Sequence, residues 1–203
     1  MSPEFLLTAF IVVIAPGTGV LYTLACGLRG GAGAASIAAL GCTLGIVPHL
    51  LAAMFGLAAI LETSAIAYET LRVLGVCYLL YLAWSMLRAH GALSVEAAGT
   101  VPPAREIVVR AILVNLLNPK LSVFFLAFLP QFVTPGQPHA LEHMAAMSLV
   151  FMAMTFVVFV GYGAAAGAMR DHVVSRPSVM AWLRRAFAAA FIGLGVKLAL
   201  TER

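Results

Sequence analysis

Two prolines lie deep inside hydrophobic runs, at similar distances from the start of each run and in opposite halves of the chain. One is in Ala15-Pro16-Gly17-Thr18-Gly19, the other in Asn118-Pro119-Lys120. Proline has no backbone N–H and drives the residue before it out of helical geometry. Hydrocarbon holds no water to repair such a break, so the break must be buried in protein or line a cavity. Surroundings of that kind are what the composition indicates. The chain is 63% hydrophobic and 10% charged, against roughly 25% charged for soluble domains. Continuous Ala, Leu, Gly and Val runs without alternation exclude a β-barrel.

Spans of about 20 apolar residues are predicted at residues 5–26, 34–61, 69–87, 107–133, 144–169 and 182–200, making an all-α polytopic membrane protein. Glu4 stands where a signal peptide would be basic, so the first run is read as a span rather than a leader. Arg29, Arg88, Arg105, Arg110, Arg170, Arg176, Arg184 and Arg185 follow the first, third and fifth spans, which puts those loops in the cytoplasm and both termini outside. Loop 89–106, with Gly91, Gly99 and Pro102-Pro103, divides one transmembrane domain (1–203) into halves 1–88 and 107–203. Three spans per half invert the second half relative to the first. The result is two inverted three-helix repeats with broken first helices, an arrangement in which substrate binds at the breaks.

Asn118-Pro119 reads as a helix start, since Asn favours the N-cap and Pro the first helical position. The free N–H groups of that half-helix and the charge of Lys120 suit a carboxylate. A span-centre lysine costs at least about 2.5 kcal/mol on insertion scales, which makes it a functional candidate; the competing reading is that Lys120 snorkels to the cytoplasmic headgroups. Asn115, one turn earlier, either binds substrate or satisfies carbonyls freed by Pro119. In the first half the counterparts are Pro16, Gly17, Thr18, Gly19 and Tyr22, with bare peptide groups at the glycines and hydroxyls at Thr18 and Tyr22; a simple kink is the alternative. His49 either carries a coupling proton or is a hydrogen-bonded interior histidine. No Asp or Glu falls at a span centre. Gly41-x3-Gly45 and Gly163-x3-Gly167 are read as helix packing, and Cys26, Cys42 and Cys77 as packing residues outside any metal framework.

His139-Ala140-Leu141-Glu142-His143 matches the inverted zinc-peptidase pattern but sits in a short outward loop without a third ligand. No catalytic residue, metal or cofactor is therefore assigned. A membrane zinc hydrolase using His139 and His143, and a passive small-solute channel, remain the rival functions.

The stretch Asn115-Leu-Leu-Asn118-Pro119-Lys120, followed by Phe124-Phe-Leu-Ala-Phe-Leu-Pro-Gln-Phe132, resembles the LysE/RhtB family of amino-acid exporters. Ala15-Pro16-Gly17, Gly27-Leu-Arg-Gly-Gly31, Gly41-x3-Gly45-x3-His49 with Gly56-Leu57, and Gly75–Trp84 extend the resemblance over nearly the whole chain. Thr18 replaces the second proline of the family's PGP, and Ile46 an acidic residue found in many members. The resemblance implies secondary efflux of amino acids or related small zwitterions, driven by the proton gradient, across the bacterial cytoplasmic membrane. The implied partners are an amino acid-like solute and the lipid bilayer, with no nucleic acid and with a homo-oligomer left open.

Overall fold

The structure, a computed structural model, describes residues 1–15, 17–63, 101–133 and 138–168, with scattered positions in 70–87 and 185–200. Pro16, most of the expected third and sixth spans, and the stretches 88–100, 134–137 and 169–184 lie outside the described residues. Within them, all regular structure is helical.

Helix α1 (Pro3–Ile14) starts where its sequence directs: the Ser2 hydroxyl accepts from the Phe5 N–H at 3.2 Å and Pro3 occupies the first turn. It buries Phe5, Thr8, Ala9, Val12 and Val13, a face of helical period. Leu6, Leu7 and Phe10 point outward. Helix α2 (Thr18–Leu44) folds back on itself at Gly31, where φ is 66° and ψ −164°, a conformation open essentially to glycine alone. By length and apolarity, residues 18–56 would pass for one span. Yet Thr23 Oγ1 lies 3.9 Å from Cys42 Sγ, whereas a straight helix would separate those residues by about 28 Å. The arms, residues 18–30 and 32–44, are therefore antiparallel. The first follows α1 and the second runs into α3 (Val47–Thr63), in place of the expected spans 5–26 and 34–61.

The expected fourth span is α4 (Ala104–Leu116), α5 (Pro119–Val123), a π-helical turn (Phe124–Phe128) and a 3-10 turn (Leu129–Phe132). It bends by 54° at Leu117–Asn118. A 29-residue helix, α6 (Ala140–Ala168), takes the place of the fifth. The α2 hairpin packs between α4 and α6, and glycines set the spacing. A Cβ on Gly41 would strike Ala111 and the Val108 backbone, and one on Gly163 would strike Ala35. Both positions act in packing, as expected, while the surroundings of Gly167 lie outside the described residues. Phe124 and Phe151 stack at 4.5 Å, joining the π-helical turn to α6.

Candidate functional site

Both breaks interrupt a helix after three turns. Ala15 and Gly17 are extended between α1 and α2; Asn118 is extended between α4 and α5. Asn118 caps α5 by accepting the Lys120 N–H at 3.1 Å, with Pro119 as the first helical residue. The side-chain surroundings of Pro119 lie outside the described residues.

A proline at position i removes the usual donor of the carbonyl at i−4, here Val12 and Asn115. The Asn115 carbonyl receives the Asn118 N–H at 3.0 Å instead, and distant side chains reach both carbonyls. Lys120 Nζ donates to the Val12 carbonyl at 2.9 Å and to the Ala15 carbonyl at 3.0 Å. His49 Nε2 lies 3.0 Å from the Asn115 carbonyl. A carbonyl only accepts, so this nitrogen carries the proton, and in the neutral ring Nδ1 accepts from Ser122 Oγ at 3.4 Å. Tyr162 donates to the Ile14 carbonyl at 2.8 Å, and Thr18 approaches the Val114 carbonyl at 3.5 Å.

Asn115 is 1% exposed. Its Nδ2 donates to the Cys42 carbonyl at 2.7 Å and its Oδ1 accepts from Asn118 at 3.4 Å. It thus satisfies a carbonyl of α2, not one released by Pro119. Lys120 is 8% exposed, and the chain folds it inward to the end of α1 rather than toward headgroups. Two of its three donors are engaged. A Cβ on Gly17 would lie 3.2 Å from Nζ, and one on Gly19 would collide with Asn115, so both glycines admit the polar side chains opposite.

A cavity of about 10 Å³ sits at this junction, lined by Gly19, Asn115, Asn118 and Lys120 together with Phe151 and Phe159. It admits about one water, too little for an amino acid. The structure brings Gly17, Gly19, Asn115, Asn118 and Lys120 together, with His49 behind Asn115. Thr18 is exposed, and Tyr22 spends its hydroxyl on the Ile107 carbonyl at 3.2 Å. Sequence reasoning did not single out Tyr162, Thr155, Phe151 or Phe159. The only available signal was a hydroxyl or ring inside an apolar run. The expected loop at His139–His143 is instead the start of α6: His139 precedes the helix and pairs with Glu142 in its first turn at 2.9 Å, both exposed, and no cluster of three metal-ligating side chains occurs among the described residues.

The family model described as LysE type translocator matches residues 10–202. A homoserine/homoserine lactone efflux protein of Salmonella typhi is 32% identical over 197 residues, covering 96% of this chain and 94% of the relative. A leucine efflux protein of Enterobacter sp. (strain 638) is 28% identical over 77% of each chain. An uncharacterized membrane protein of Vibrio cholerae is 28% identical over 98% of this chain and 96% of its own length. No solved structure matches the chain.

Proposed function

The chain belongs to the LysE type translocator family, and from that premise we propose that it exports amino acids or related small zwitterions from the bacterial cytoplasm, driven by the proton gradient. It is a transporter, not an enzyme. The names of two relatives, efflux proteins for homoserine or its lactone and for leucine, support a small amino acid-like cargo. One observation carries the assignment of the site: a buried lysine of the second break reaches into the first break, beside a cavity lined by polar groups and aromatic rings.

In this reading the domain is two inverted three-span repeats with the turn at Gly31, loop 89–106 and residues 170–184 cytoplasmic. Cargo binds where the first spans of the repeats are broken. Lys120 meets the carboxylate, Asn115 and Asn118 offer amide groups, and Phe151 and Phe159 wall the side chain. The closed junction must open by relative movement of α1 and α5 to admit cargo. Lys120 is the titratable group that joins one break to the other, which makes it the candidate for coupling, while His49 serves the Asn115 carbonyl. Everted membrane vesicles containing the protein should accumulate leucine or homoserine when their interior is acidified, and an uncoupler should abolish the uptake. Uptake that is linear in concentration and indifferent to the uncoupler would indicate a passive channel.

A further inference from the structure

Among the described residues, no acid lies against the Lys120 ammonium. It is held by two backbone carbonyls, Val12 and Ala15, at the last turn of α1. Those carbonyls combine three attractions for a cation. They lie at the negative end of a helix dipole. The one at Val12 has no helical donor, because residue 16 is a proline. Both face the interior at residues that are almost wholly buried. A neutral amide would satisfy them without the cost of burying a charge, so the use of an ammonium calls for a reason.

We propose that the Val12 and Ala15 carbonyls form a seat for a primary ammonium group, which Lys120 fills when the site is empty and yields to the cargo's own α-ammonium. Lys120 then turns to the cargo's carboxylate. Gly17 places no side chain against Nζ, and the cavity is lined by both Val12 and Lys120. The exchange preserves charge: a zwitterion adds one positive and one negative group, so the site keeps the single positive charge it had. A bare amine would add a second cation next to Lys120 with nothing to offset it. The site therefore selects molecules that carry both groups, and in their absence the lysine holds α1 closed. The exchange rests on the amino-acid reading above; the seat itself does not, and is tested without transport.

Thermal unfolding of purified Lys120→Ala in lipid nanodiscs is measured with n-butylammonium, which matches the removed side chain, and with tetramethylammonium, which has no N–H. The expected result is a saturable rise in Tm with butylammonium only, and no rise for wild type with either. Lys120→Met, which keeps the stem, is measured in the same way with methylammonium and should also be stabilised. Equal shifts with the quaternary ion or in wild type, or no shift in either folded variant, would overturn the seat. It is likewise rejected if neither variant folds in the presence of its amine. Stabilisation by amines together with failure to move any amino acid would leave the seat standing and sink the export reading.

Discussion

Replacing Asn115 with leucine keeps the volume close to the original and removes the side-chain amide. In a regular helix the Cys42 carbonyl would receive the Ile46 N–H. Here that N–H bonds to the Thr43 carbonyl at 3.1 Å instead, and Asn115 Nδ2 takes its place at 2.7 Å. The second contact of the side chain, 3.4 Å from Asn118, is long and contributes little. Leucine therefore leaves a buried carbonyl without its donor, at a cost of about 1–3 kcal/mol. At the roughly 2–4 °C per kcal/mol typical of chains this size, Tm should fall by about 2–12 °C. The comparison is Ser36→Ala, which deletes an exposed hydroxyl bonded within its own helix and should stay within about 0.5 kcal/mol of wild type. Both are read by thermal unfolding in nanodiscs. An Asn115→Leu protein as stable as Ser36→Ala would refute the claim that Asn115 repairs the second span.

Gly41→Val should give little folded protein in size-exclusion profiles, because even a Cβ there meets Ala111 and the Val108 backbone, while Gly33→Ala, whose Cβ meets nothing within 4 Å, should be neutral. His49→Gln can still donate to the Asn115 carbonyl and should keep proton-coupled transport, whereas His49→Phe should lose about 1 kcal/mol of stability; loss of coupling in the Gln variant would transfer the proton to His49. In a cysteine-free background, a cysteine at Gly136 should label from outside intact cells and one at Gly99 should not; the reverse pattern contradicts the proposed orientation.

The breaks were legible because they follow from what proline lacks, and the start of α5 because Asn118-Pro119 is a local signal. The distant partners of the carbonyls one turn before each proline were not legible. Lys120 lies 108 residues from Val12 and His49 lies 66 from Asn115, and no local pattern encodes such pairings. For the same reason Lys120 looked like a free cation facing a carboxylate, when in the closed structure most of its donors serve the backbone. The reversal at Gly31 was visible only as a glycine-rich stretch after the first span. Helical residues continue on both sides of it, so a single residue makes the turn. The π-helical turn within the expected span 107–133 had no such signal; it depends on how Phe124 and Phe125 pack against Phe151, which only tertiary structure reveals.

Lys120 links the two breaks, which in the proposed function together form the cargo site. The measurement that tests this is efflux per folded protein, in vesicles whose content of folded transporter is determined separately. Lys120→Met keeps the stem and removes the charge; the account predicts that it inserts and folds yet moves almost no amino acid. Lys120→Arg should be partly active, since a planar guanidinium can bond the carbonyls but does not replace a compact ammonium. Wild-type turnover per folded molecule in the Met variant would contradict the account, because Lys120 would then merely fasten α1 in place.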